Sequence, residues 1–214
     1  MWRFLLVSTV TLWLVGAAAA PAIAGKWLVL LVDRSNSIDD RELALQRDAY
    51  VRLLSDAAVI QALEDTQVAI VEFDSRPEIV VDWTDPATAA HAYGRKSPDG
   101  LRGQTGIGHA ITTGLGLLAG KSGRLIIDVS GDGKDNVDSL LLADVRAQAT
   151  ELAVEINGLA ILNQQSPALD VYYSRAVVNG FVLPVDQSED FYTALRRKLF
   201  FEVAGIDPEP VPAR

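Results

Sequence analysis

The sequence predicts an α/β fold with a doubly wound, mostly parallel central sheet, helices on both faces and one antiparallel edge strand. Unbroken apolar runs such as residues 27–32 and 68–73 have the length of strands that are buried on both faces. These runs alternate with segments whose apolar residues recur at helical spacing. The turn at residues 74–77 is too short for a parallel crossover, so the strand after it is expected to be an antiparallel edge.

In chain order, the predicted strands cover residues 27–32, 68–73, 78–83, 124–129, 156–162 and 181–185. The predicted helices cover residues 42–55, 57–63, 107–119, 139–151, 169–178 and 190–203, and a further helix begins at Pro86. Asp39 or Asp40 can cap the first helix, and proline is tolerated at a first helical position because its missing N–H has no helical partner there. The pair Asn157-Gly158 is by itself a hairpin signal. Residues 153–155 make a poor partner strand, however, so we predict one strand through this pair.

The N-terminal segment has the layout of a secretory signal peptide. Arg3 precedes an apolar stretch over residues 4–15, and Pro21 is followed by small residues at Ala22 and Ala24. We predict cleavage after Ala24 and export to the periplasm or the extracellular space. An uncleaved membrane anchor is the alternative, because the apolar stretch approaches the roughly 20 residues that span a bilayer. The expected organisation is a signal peptide over residues 1–24, one domain over residues 25–207 and a flexible tail over residues 208–214.

Composition narrows the class of partner. The formal net charge of −9 and the pI near 4.7 argue against nucleic acid or an anionic membrane, both of which attract basic surfaces. The same charge repels another acidic surface unless a cation lies between the two. The sequence contains no cysteine, which excludes disulfides, zinc-thiolate sites and a cysteine nucleophile.

Three loop segments carry oxygen ligands at the predicted ends of elements. Asp33, Ser35 and Ser37 follow the first apolar run, Thr105 lies in a glycine-flanked loop, and Asp132 follows the run at residues 124–129. Carboxylate and hydroxyl oxygens without nearby nitrogen or sulfur suit Mg²⁺, Mn²⁺ or Ca²⁺. In a parallel sheet, ligands bind beyond the carboxyl ends of the strands, and Asp33 and Asp132 both fall there.

Together these residues resemble the metal-ion-dependent adhesion site (MIDAS) of the von Willebrand factor A (VWA) domain, a Rossmann-like α/β fold. In that family an Asp-x-Ser-x-Ser loop, a Thr on a second loop and an Asp on a third hold the ion. The sequence is most similar to a bacterial branch of secreted single-domain VWA-like proteins without an assigned function. Residues 45–48, 105–108, 129–133 and 196–199 carry that closer likeness.

The resemblance implies a non-enzymatic binding module. Its metal would be a divalent cation, Mg²⁺ first and Mn²⁺ or Ca²⁺ as alternatives, held by Asp33, Ser35, Ser37, Thr105 and Asp132. A partner protein would supply an Asp or Glu carboxylate to the same ion, so that the cation bridges two acidic surfaces. The sequence indicates no nucleic-acid partner, and no membrane partner if the signal segment is cleaved.

Two alternatives remain open from the residues themselves. The first is a Mg²⁺-dependent phosphohydrolase with Asp33 as nucleophile, although such sites usually need a second acid two residues on, where this chain has Ser35. The second is a structural envelope protein whose metal site is vestigial.

Charged residues beside these elements add two further expectations. The terminal helix has an apolar face opposite Arg196, Arg197 and Lys198, which we expect to be solvated, with a docking face for an acidic partner or a lipid headgroup as the alternative. Arg34 brings a positive charge into the first loop, and it is expected to point outward or to pair with Asp39 or Asp40.

Overall fold

The computed structural model describes residues 25–38, 40–96, 102–186 and 190–205, together with Pro208. The predicted signal peptide, Asp39 and all of the predicted tail except Pro208 lie outside these ranges. The strands are Lys26–Asp33 (β1), Thr66–Phe73 (β2), Pro77–Thr84 (β3), Arg124–Gly131 (β4), Val154–Leu162 (β5) and Val182–Asp186 (β6). The α-helices are Asp40–Ser55 (α1), Ala57–Ala62 (α2), Pro86–Gly94 (α3), Ile107–Leu118 (α4), Ser139–Glu151 (α5), Leu169–Tyr172 (α6) and Phe191–Ala204 (α7).

The described strands form one sheet in the order β3-β2-β1-β4-β5-β6. All neighbours are parallel except β2 and β3, so the predicted fold class and its antiparallel edge are confirmed. The chain leaves β1 toward β2 on one side and returns through β4 on the other. The reversal of strand order therefore falls between β1 and β4, and the crevice at their carboxyl ends is the expected place for a ligand.

Helices cover both faces of the sheet, and side chains that alternate along each strand supply two separate cores. On one face Leu28, Leu30 and Val32 of β1 pack with α1, α3 and α7. On the other face Val29 and Leu31 pack with α4, α5 and the segment that includes α6. Because β1 is buried on both faces, its sequence is an unbroken apolar run. Within the described ranges, no helix is both long and apolar enough to cross a membrane.

Strand β5 runs through Asn157-Gly158, as predicted, and its neighbours explain the use of this pair. Asn157 is fully buried, and its side-chain oxygen accepts a hydrogen bond from Phe181 N at 3.0 Å. A Cβ at Gly158 would lie 2.8 Å from the ring of Tyr173. Asparagine therefore satisfies a buried donor, while glycine leaves room for the aromatic ring.

The segment expected to be a single helix over residues 169–178 changes its winding. After α6, residues Tyr173–Val177 form a π-helical turn, which brings the Tyr173 ring into the core. Such turns insert one extra residue per turn and are frequent at functional sites.

The expectation that Lys198 is solvated is wrong. Its side chain is fully buried, and its Nζ lies 2.6 Å from Asp128 Oδ1 of β4 and close to Glu202 of α7. Burial alone would lower the pKa of Lys198, but the charges of Asp128 and Glu202 outweigh it and raise that pKa. Lysine is buried here because two carboxylates accompany it. Arg197 is exposed, as expected, and Arg196 is partly exposed and near Asp56.

Candidate metal-binding site

The five predicted ligands come together at the carboxyl edge of β1 and β4. Thr105 Oγ1 donates to Ser35 Oγ at 3.0 Å, and the hydroxyls of Ser35 and Ser37 lie 3.0 Å apart. Ser37 Oγ donates to Asp132 Oδ1 at 2.6 Å. Three loops that lie far apart in the sequence thus contribute one continuous chain of oxygen atoms. Asp33 holds the middle of this chain, because Asp33 Oδ1 accepts a hydrogen bond from the backbone N–H of Ser35 at 2.8 Å.

Asp33 is fully buried, and its carboxylate is only half satisfied. Its Oδ2 accepts no hydrogen bond from any described residue. Burial raises the pKa of Asp33 from 3.8 to about 7; hydrogen bonds from Ser35 oppose this shift, and the charges of Asp132 and Asp74 add to it. A buried carboxylate oxygen without a partner is costly, and a cation would remove that cost.

The loop that carries Thr105 is fixed from two sides. Asp74 follows β2 and is buried; its Oδ2 accepts from Gly103 N at 3.0 Å, and its carbonyl oxygen accepts from Gly106 N at 3.1 Å. On the other side, Asn136 Oδ1 accepts from Thr105 N at 2.8 Å. These contacts hold the Thr105 hydroxyl toward Ser35. Sequence reasoning missed both roles; for Asp74 the available signal was its position directly after a buried strand.

The loop after β4 places Asp132 and leaves space beside it. Asn163 Nδ2 donates to Asp132 Oδ2 at 3.2 Å, which fixes the orientation of the carboxylate. A Cβ at Gly133 would lie 3.0 Å from Thr105 Oγ1. A Cβ at Gly131 would lie 2.7 Å from Asp33 Oδ2 and 2.9 Å from the Tyr173 hydroxyl. Glycine at both positions therefore keeps side chains out of the space between the oxygen groups.

Arg34 pairs with two glutamates and not with Asp40; Asp39, its other expected partner, lies outside the described residues. Its guanidinium lies 3.2 Å from Glu78 Oε2 and 3.5 Å from Glu72 Oε2, whereas Asp40 pairs with Arg102. Glu72 is fully buried and also binds Arg47 through two hydrogen bonds of 2.8 Å. The positive charge beside the candidate site is thus balanced by carboxylates of β2 and β3.

The donor set suits a hard divalent cation. Two carboxylates and three hydroxyls converge, all of them oxygen, and Mg²⁺ completes such a set with water or with an incoming carboxylate. The described residues contain no group of three or more His, Cys, Asp or Glu side chains placed to hold a metal, so neutral hydroxyls would supply the remaining contacts. The unpartnered Asp33 Oδ2 and the space kept by Gly131 and Gly133 both fit an ion at this place.

The sheet order and the two helix layers define a VWA-like fold, which confirms the fold that the sequence resemblance implied. A family model described as "Protein of unknown function (DUF1194)" matches residues 25–207, and the chain belongs to that family. No curated protein matches the sequence.

Several solved structures share the fold at low sequence identity. The conserved hypothetical protein BatB from Bacteroides thetaiotaomicron is similar with a TM-score of 0.63 at 17% identity, over 85% of this chain and 100% of that one. The vWF domain of the type V pili tip protein Mfa5 from Porphyromonas gingivalis gives 0.64 at 11% identity, over 89% and 99%. Proximal thread matrix protein 1 from the mussel byssus, with a zinc-occupied MIDAS motif, gives 0.62 at 18% identity, over 83% of this chain and 46% of that protein. This chain therefore spans about half of the mussel protein.

Proposed function

We propose that the protein is an exported, non-enzymatic binding module that engages a partner protein through a divalent cation. Asp33, Ser35, Ser37, Thr105 and Asp132 would hold the ion. The observation that carries this proposal is the continuous chain of oxygen atoms from Thr105 to Asp132, beside an Asp33 oxygen that has no partner among the described residues.

When bound, the cation supplies a positive charge that a carboxylate of another protein can approach. The residues of this chain do the rest. Asp33 and Asp132 would balance the ion's charge, and the hydroxyl oxygens of Ser35, Ser37 and Thr105 would offer lone pairs to it. Asp74, Asn136 and Asn163 hold these groups in place before the ion arrives, which lowers the cost of ordering them.

The ion is the first quantity to establish. The oxygen set favours Mg²⁺, with Mn²⁺ and Ca²⁺ as alternatives, and the zinc-occupied motif of the mussel protein adds Zn²⁺ to the ions worth testing. Thermal unfolding of the purified protein should show stabilisation by the preferred ion, because a ligand that binds only the native state adds RT ln(1 + [L]/Kd) to stability. That gain is about 2.7 kcal/mol at one hundred times Kd.

Asp33→Ala should abolish this stabilisation, whereas Asp144→Ala, at an exposed position of α5, should keep it. If the wild type gains no stability with any of these ions, the structural alternative with a vestigial site becomes the better one. Binding to a partner should disappear in chelator and in Asp33→Ala while the fold stays intact. Partner binding that persists in chelator contradicts the proposal.

The phosphohydrolase alternative meets a specific difficulty. Its proton-transfer acid would stand at Ser35, whose hydroxyl instead lies in the hydrogen-bonded chain with Ser37 and Thr105. Hydrolysis of p-nitrophenyl phosphate with added Mg²⁺ that disappears in Asp33→Asn would reinstate this alternative.

A further inference from the structure

A groove runs beside the candidate metal site, and Asp132 lines both of them. The groove has a volume of about 370 Å³, within the range of ligand pockets. Its apolar lining comes from the loop before α1, from α1, from the ends of β5 and β6, and from the start of α7: Ile38, Leu45, Ile161, Val185 and Phe191. Leu45 stands at its rim with 57% of its surface exposed.

Gln46, the residue after Leu45, places a side-chain amide in the groove. Its side chain lines the same groove and is only 5% exposed. Its Oε1 accepts no hydrogen bond within the described part of the chain. A buried amide oxygen without a donor is destabilising. A ligand in the groove that brings an N–H or O–H donor would remove this cost.

We propose that this groove binds a side chain of the partner segment whose carboxylate reaches the cation. The segment would carry a Leu, Ile, Val or Met within about two residues of its acidic residue, since one residue of extended chain spans about 3.3–3.6 Å and one Asp132 side chain borders both places. A backbone N–H of the same segment would donate to Gln46 Oε1, as extended peptides do when they dock. This inference rests on the proposed function and specifies the partner's chemistry.

The occupant is taken to be a peptide segment because two requirements meet on the two sides of Asp132. An ion held by two carboxylates takes a further oxygen ligand, and the adjoining groove offers apolar surface together with an acceptor for an N–H. An acidic residue followed or preceded by an apolar one in a peptide chain supplies all three groups. The groove involves residues 45 and 46 of the stretch 45–48, and Arg47 of that stretch binds Glu72 instead.

The test is selection from a random-peptide phage library on the purified protein with millimolar Mg²⁺, and in parallel with chelator. The expected consensus has one acidic position and one large aliphatic position within about two residues. A synthetic peptide of that sequence is then titrated against variants. Gln46→Met should weaken binding about tenfold, the scale of one buried hydrogen bond, and Leu45→Ser should weaken it as well. Leu152→Ser is the matched control, because Leu152 is 53% exposed and lies between α5 and the amino end of β5, whereas the groove lies at the carboxyl ends of β5 and β6.

Each result has a distinct meaning. A purely structural Gln46 would lose stability in Gln46→Met, whereas an acceptor kept for a ligand leaves the unfolding temperature unchanged or higher. Metal-dependent peptides that are acidic but show no aliphatic preference overturn the groove and leave the proposed function standing. No metal-dependent peptide at all overturns both. Metal-dependent self-association in sedimentation that Leu45→Ser abolishes assigns the groove to a second copy of the chain, and that also overturns the proposal.

Discussion

Asp33→Asn should stabilise the protein in the absence of metal, although it removes a predicted ligand. Asp33 is fully buried, its Oδ2 has no partner among the described residues, and burial raises its pKa from 3.8 to about 7. Keeping this buried carboxylate ionised therefore costs the folded protein about 4 kcal/mol. Asparagine still accepts the hydrogen bond from Ser35 N but brings two donors into the same space. We therefore expect a net gain of about 1–3 kcal/mol.

The pH dependence of this stability difference follows from the linkage between proton binding and folding. The folded protein binds the Asp33 proton more tightly than the unfolded chain, so this group lowers the free energy of unfolding as pH rises from about 4 to about 7. The advantage of Asp33→Asn should be absent below about pH 4 and fully present above about pH 7. Urea unfolding in chelator at several pH values measures the difference in the free energy of unfolding between Asp33→Asn and the wild type. Other groups titrate in both proteins, so their contributions cancel in this difference. Excess Mg²⁺ should reverse the order, because only the wild type gains binding energy. An Asp33→Asn variant that is less stable in chelator at pH 8 would refute this reasoning.

Three further predictions concern the surroundings of the site and the buried charges. Gly133→Ala places a methyl group 3.0 Å from Thr105 Oγ1, so Mg²⁺ should no longer raise the unfolding temperature of this variant. Gly116→Ala is the control, because its methyl group meets nothing within 4 Å. This control should keep the Mg²⁺ response and gain about 0.5–1 kcal/mol of stability. A normal response in Gly133→Ala would place the ion elsewhere. Asp74→Ala removes the acceptor of Gly103 N, and Mg²⁺ titrations should give an affinity about tenfold lower or worse; an unchanged affinity would show that the Thr105 loop holds itself. Burial raises the pKa of Glu202 from 4.5 to about 8, so wild-type stability should fall between pH 5 and pH 8, and denaturant unfolding of Glu202→Gln should show a flatter profile. Parallel profiles would mean that Glu202 is not the titrating group.

The fold was predictable because its strands are buried on both faces. That burial turns each parallel strand into an apolar run, as in β1 and β2, and the helices between them show the helical period. The antiparallel edge followed from loop length alone, since no crossover fits between β2 and β3. The bounds of elements were less accurate: β4 extends to Gly131, two residues beyond its apolar run, because pairing with β5 continues there.

Contacts between residues far apart in sequence were not predictable in the same way. Lys198 follows two arginines on a helix, and nothing local separates it from them. Its burial depends on Asp128, the one charged residue inside the apolar run of β4, and on Glu202 one helical turn later. Arg34 likewise pairs with Glu72 and not with the nearby Asp40, because the parallel pairing of β1 and β2 brings their ends together.

In the candidate site, too, some residues were predictable from the sequence and others were not. Its five oxygen-bearing residues were predictable from their positions at the ends of elements and from the family resemblance, and the structure brings them together. Whether they bind metal stays a prediction. The supporting residues Asp74, Asn136 and Asn163 lie in loops with many other polar residues, so only the folded chain shows which of them face the site.

Tyr173 and two glycines constrain the order in which this domain can change during evolution. The ring occupies the space that side chains at Gly131 and Gly158 would need, and the π-helical turn brings it there. A smaller residue at 173 must therefore come first, and Val178 must also give way before position 158 accepts a methyl group, because that Cβ would lie 3.0 Å from Val178 Cγ1. Position 131 must remain glycine even then, because a Cβ added there would also lie 2.7 Å from Asp33 Oδ2. Lineages that keep Asp33 should thus keep Gly131, whereas Gly158 should vary only together with residues 173 and 178.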